Sequence, residues 1–102
     1  MRIIKRGPLV EFAKDWPSAA SPLELWYRTT LRAEWKSQAD AKKSFGQTDR
    51  AKVASGNTVT IFDIGGNKFR LVAKISFEKG KVYVLRVLTH KEYDRDQWKK
   101  EL

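Results

Sequence analysis

The chain has 102 residues and carries 21 Lys and Arg against 12 acids, for a net charge of +9 and a sequence pI near 10.0. That length supports a single domain, residues 1–102, burying roughly 65% of its unfolded surface, and excludes two independent cores. The absence of cysteine excludes disulfides, thiolate nucleophiles and Cys-based zinc sites, while the charge favours an acidic partner, nucleic acid before any other.

Arg2 to Lys5, with adjacent isoleucines, suits a short first strand ending at Gly7-Pro8. Leu9, Phe12, Ala13 and Trp16 then recur at helical spacing, with Pro8 in the first turn and Trp16-Pro17 as the stop. Ser21-Pro22-Leu23-Glu24 reads as a capping box that opens a second helix running to about Gln38, with Leu23, Trp26, Tyr27, Thr30, Leu31 and Trp35 on its apolar flank. Of the four tryptophans, the three in these helices, Trp16, Trp26 and Trp35, are expected in the core rather than on a base-stacking surface. Ala39 to Asn57 has a weak pattern: Ala39 to Phe45 permits a helical turn, and the remainder reads as a basic loop. The first six residues have too short an apolar core for a secretory signal, and no stretch approaches the roughly 20 apolar residues of a membrane span, so a cytoplasmic location without membrane contact is expected.

The last part reads as an antiparallel meander. Thr58–Ile64, Lys68–Phe77 and Lys81–Thr89 alternate in period two around a tight Gly65-Gly66 turn and a three-residue Glu78-Lys79-Gly80 loop. That loop pairs Phe77 with Lys81, Leu71 with Val87, Ala73 with Leu85 and Ile75 with Tyr83 on the helix-covered face, together with Phe62 and Phe69. The opposite face then collects Arg70, Lys74 and Arg86 around Val72 and Val84, with His90 at the end of the row. A shorter loop would turn Arg86 into the core, where an unpaired charge is expensive.

Arginine forks match phosphate oxygens, and His90 is the natural acid or base because imidazole titrates near neutrality. Cleaving RNA through its own 2'-hydroxyl needs a group to take that proton, a donor to the leaving oxygen and cations for the developing charge. Tyr93, three residues after His90, shares its face if Thr89 caps a short C-terminal helix. There it stacks on a base, carries a proton if cations lower its pKa, or simply closes the helix onto the sheet. Glu92 and Asp94 read as groups that orient cations, since no further ligand stands at metal spacing. Gly65-Gly66-Asn67 lacks the lysine, serine and helix of a phosphate loop and reads as a turn, with Asn67 at its tip and Lys68 beside it as RNA contacts.

Two runs, Ile64-Gly65-Gly66-Asn67-Lys68-Phe69-Arg70-Leu71 and Thr89-His90-Lys91-Glu92-Tyr93-Asp94, resemble the HigB family of toxins from bacterial toxin-antitoxin pairs, within the broader RelE/ParE-like group. The detailed match covers about Phe62 to Asp94, with looser agreement over Asp40 to Asp49. Asp63 departs from a frequent asparagine and Phe69 from a frequent tyrosine. The resemblance implies an α+β RelE-like fold: an N-terminal strand and two helices on one face of a mainly antiparallel sheet, then a short C-terminal helix. It also implies a toxin that enters the ribosomal A site and cuts mRNA without metal or cofactor. A HigA antitoxin would silence it, with operator DNA contacted through that antitoxin. Carried over by position, His90, Tyr93, Arg70 and Arg86 are the expected catalytic residues and Asn67 and Lys91 the expected RNA contacts, with Lys68 of the turn counted beside them. Lys74 joins them from the register argument. A ParE-like gyrase inhibitor or a basic RNA-binding module is the competing reading, because the fold alone does not choose between them.

Overall fold

A computed structural model describes the whole chain, Met1–Leu102. Its first strand, β1 (Arg2–Ile4), leads into α1 (Gly7–Asp15), a single 3-10 turn at Pro17–Ala19, α2 (Ala20–Arg32) and α3 (Gln38–Ser44). Four strands follow, β2 (Thr48–Lys52), β3 (Thr58–Ile64), β4 (Phe69–Ser76) and β5 (Lys81–Thr89), and the chain ends in α4 (His90–Asp94) and α5 (Gln97–Glu101). The sheet order is β1-β5-β4-β3-β2. Only β1 runs parallel to its neighbour; the other pairs are antiparallel. The α+β architecture is the expected one.

Period-two alternation in the central strands divides the apolar residues between two cores. Phe62, Ile64, Phe69, Leu71, Ala73, Val82, Val84 and Val87 face the helices and pack with Leu9, Leu23, Trp26, Trp35 and Ala41. Val59, Ile61, Val72 and Leu88 face the other way and are covered with Val53 by Trp98 of α5. The second core was not expected. It follows from a C-terminal tryptophan too isolated in sequence to show periodicity.

Several expected boundaries shift for identifiable reasons. The 3-10 turn flows directly into α2, whose N-cap is Ala19 with no side-chain bond, so the Ser21 box does not form. Glu24 instead meets Arg28 at 3.0 Å and Arg6 at 3.4 Å. The second helix stops at Arg32 rather than Gln38, and its end carbonyls, those of Thr30, Leu31 and Ala33, accept hydrogen bonds from the Met1 ammonium, a charge that suits a helix C-terminus. Beyond that end Trp35 turns inward, stacks on Phe62 at 5.9 Å and donates its indole N–H to Ser44 Oγ at 2.9 Å. The supposed basic loop therefore contains α3, which fits the allowed helical turn, and the unanticipated strand β2. Thr48-Asp49-Arg50-Ala51-Lys52 is too polar to signal a strand, and those charges suit its position at the sheet edge.

Register also differs near the turns. Ile64 pairs with Phe69 across a longer turn than Gly65-Gly66, and Ser76, not Phe77, pairs with Lys81. A bulge then restores the expected alignment. Val72 faces Arg86 while Ala73 faces Val84, leaving Leu85 unpaired, and Leu71 faces Val87 as anticipated. Val82 and Val84 consequently enter the helix-covered core in place of Tyr83 and Leu85, whereas Arg86 keeps its place on the other face.

Candidate active site

Thr89 ends β5 in an extended conformation and caps α4 reciprocally: its hydroxyl accepts from the Glu92 N–H at 3.2 Å, and the Glu92 carboxylate accepts from the Thr89 N–H at 3.0 Å. This capping box fixes His90 at the first helical position. The His90 backbone N–H donates to the Lys68 carbonyl at 3.1 Å, tying α4 to the β3–β4 turn. Its Nδ1 lies 2.9 Å from the Asp94 carboxylate, one helical turn on. With that nitrogen engaged, Nε2 is left for chemistry. His90, Lys68, Lys91, Thr89 and Glu92 line an open cleft of about 600 Å³ together with Trp16, Ser18 and Phe69.

Arg70 takes a different position from the one expected of an open phosphate ligand. It is 8% exposed and directly opposite Asp63 in the sheet, with its Nε 3.1 Å from that carboxylate. It also donates to the carbonyls of Asn67 and Phe69, at 3.3 and 3.1 Å, and to the Asn67 side-chain oxygen. The pairing makes that burial tolerable: the carboxylate and three carbonyl-type acceptors offset the desolvation cost that an unpaired guanidinium would carry there. Asn67, expected to reach RNA from the turn tip, is engaged by this arginine.

Tyr93 closes α4 onto the second core. Its ring stacks on Trp98 with centroids 5.5 Å apart, and the Arg70 guanidinium lies 5.3 Å from its ring centre. Burial, followed by the Asp49 carboxylate, raises the phenol above its ordinary pKa against the opposing pull of Lys99 and Arg70. Cations therefore do not make Tyr93 a readily ionised proton carrier.

The expected single row of cations is distributed over three clefts. Arg86 meets Glu101 at 2.7 Å in a cleft shared with Glu92, Arg95 and Trp98. Glu92 also lines the His90 cleft, so these two adjoin. Lys74 lies in another, with Lys5, Lys79 and Tyr83, and contacts Asn57 at 3.4 Å.

Two participants escape a reading by residue type. Asp94 contacts the His90 ring rather than a cation; its spacing of four from His90 on a capped helix is the available signal. Trp16, assigned to the core, is 46% exposed, whereas Trp98 is 2% exposed. The signal for Trp16 is its place at a helix end immediately before proline, where the apolar face gives out.

The family model for the RelE-like toxic component of a toxin-antitoxin system, HigB_toxin, matches residues 19–96. The chain is 30% identical over 95 residues to "mRNA interferase HigB" of Escherichia coli O6:H1, covering 93% of this chain and 90% of that protein. It is 33% identical over 94 residues to "mRNA interferase toxin HigB" of Escherichia coli K12 and to "mRNA interferase HigB" of Shigella flexneri, covering 92% of this chain and 88% of each relative. No helix of the structure is long and apolar enough to cross a membrane. With motif, fold and relatives in agreement over most of its length, the chain belongs to the HigB family of RelE-like toxins.

Proposed function

We propose that this protein is the toxin of a toxin-antitoxin pair and acts as an mRNA endoribonuclease, cutting messages during translation in the ribosomal A site without a metal cofactor. The observation that carries the reading is His90, held by Asp94 at 2.9 Å and presented in a cleft beside Lys68 and Lys91. Relatives named mRNA interferases, matched over most of their length, support it.

In this mechanism the 2'-oxygen attacks the adjacent phosphorus, the bond to the 5'-oxygen breaks, and a cyclic phosphate remains. His90 Nε2 exchanges a proton at one of these two oxygens and water serves the other. Lys68 and Lys91 hold phosphate oxygens and offset the charge that develops. Arg86 adds to them across Glu92. Its ion pair with Glu101 is partly exposed and worth about 0–1 kcal/mol, so a phosphate can displace the carboxylate. Arg70 acts as a positioning residue: it holds the Asn67 turn, and the next residue's carbonyl anchors the His90 backbone. Tyr93 supports that arrangement by packing on Trp98, and Lys74, in a separate cleft, offers a further phosphate contact. A cognate HigA-type antitoxin silences the toxin and carries the contacts to operator DNA.

Mapping mRNA 5' ends in a translating extract tests the reading. The wild-type chain creates new ends that disappear when translation is blocked, while His90→Ala lowers cleavage by about 100-fold or more. Equal cleavage by His90→Ala would remove the mechanism. Growth inhibition without new RNA ends would instead identify a non-catalytic inhibitor.

A further inference from the structure

Three of the four tryptophans are 1–3% exposed, but Trp16 is 46% exposed. Val10, Leu25 and Leu31 are exposed as well, but of these four Trp16 alone lines the cleft that holds His90. Trp16 is also held firmly. Its backbone N–H donates to the Phe12 carbonyl at 2.9 Å, and the following Pro17 restricts its backbone to the non-helical conformation observed, φ −128 and ψ 76. The indole stacks against Phe12 with centroids 6.3 Å apart and planes 20° apart, and meets Phe69 edge-on at 6.1 Å. Phe69 itself is buried and packs edge-on to Phe12 at 5.4 Å. The indole is thus held by two neighbouring rings while the residue remains 46% exposed.

The rest of the cleft narrows the ligand. Trp16 and Ser18 line the same cleft as Lys68, His90 and Lys91, with Phe69, Thr89 and Glu92 completing its lining. A flat apolar surface in one cleft with two ammonium groups matches a chain of flat apolar rings joined by phosphates. It suits an unpaired base better than a duplex, whose bases already stack on each other. An apolar side chain of a protein partner would cover the ring equally well but would leave both ammonium groups unmatched.

We propose that Trp16 is the base-stacking platform of this site: an unpaired RNA base rests on its open ring surface while Lys68 and Lys91 hold the flanking phosphates and His90 meets the reacting one. The inference rests on the nuclease reading for the location of the reaction and goes beyond it by naming the residue that grips the substrate's base. Trp16 thereby fixes which phosphate reaches the imidazole.

The test uses the full chain carrying His90→Ala, so that RNA persists, titrated with a short single-stranded oligoribonucleotide and with an abasic oligomer of equal length. The base-bearing oligomer should quench tryptophan emission and bind on the order of 10-fold tighter than the abasic one. Adding Trp16→Ala should abolish the quench and that difference while leaving abasic affinity unchanged; Trp16→Phe should restore part of the difference. The proposal is overturned by an undiminished base preference in Trp16→Ala, by equal loss of both ligands, which would mark a structural role, or by the absence of base-dependent binding in the parent. Cleavage that depends on His90 without base stacking would remove the platform alone; base stacking without cleavage would remove the nuclease reading alone.

Discussion

Tyr93 shows how one side chain's surroundings change the chemistry its type suggests. A phenol among lysines and arginines invites a lowered pKa, yet partial burial where it stacks on Trp98 and the nearby Asp49 outweigh Lys99 and Arg70, and the pKa rises from 10.0. The sign of the stability effect follows by linkage. At neutral pH the phenol is protonated in folded and unfolded chains, so its favourable burial is fully present. As pH rises past 10.0 the unfolded phenol ionises first, and this contribution is lost through the raised folded value. Thermal unfolding followed above pH 10 should therefore show wild type losing stability more steeply than Tyr93→Phe, with the two parallel near neutrality. A parallel fall at alkaline pH would contradict the buried, protonated phenol.

Among the elements, α4 depends most on a single local device. It spans only His90–Asp94, too few residues to persist on helical propensity alone, and its start is fixed by the Thr89–Glu92 capping box and the His90–Lys68 backbone bond. Thr89→Ala should lower unfolding stability by about 1 kcal/mol, measurable by chemical denaturation. The effect on mRNA cleavage should be larger than that loss explains, because the uncapped residue adjoins His90. Thr89→Ser retains the acceptor oxygen and should restore both. Cleavage unaffected by Thr89→Ala would separate the helix cap from the positioning of His90.

Across the whole molecule, α5 converts an open sheet face into a second core. Trp98 is 2% exposed over Val53, Val59, Ile61, Val72 and Leu88. Its indole N–H donates to the Tyr93 carbonyl at 3.1 Å, while the Lys99 carbonyl accepts from the Ala54 N–H at 2.8 Å. One short helix thus joins the β2–β3 connection, the sheet and α4. Trp98→Ala removes a large buried side chain and should destabilise the fold by about 3–5 kcal/mol. For a domain of this size the melting temperature should fall by more than about 10 °C. A change of only a degree or two in calorimetry would show that this cover contributes little.

The amino-acid sequence by itself determined the class of fold, the three meander strands and the cap that presents His90. Each follows from local periodicity, turn chemistry or a motif whose partners lie within a few residues. Arg86, by contrast, keeps its face away from the helices through a bulge that the sequence did not signal. Tertiary structure decided the fate of Arg70, which local alternation places on an open face but which Asp63 and the Asn67 turn enclose. It also exchanged the roles of Trp16 and Trp98, one left open at a helix end and the other buried by a short terminal helix. Those outcomes depend on which surfaces meet after distant segments pack, so the free energy of covering a ring or pairing a charge is set by neighbours remote along the chain.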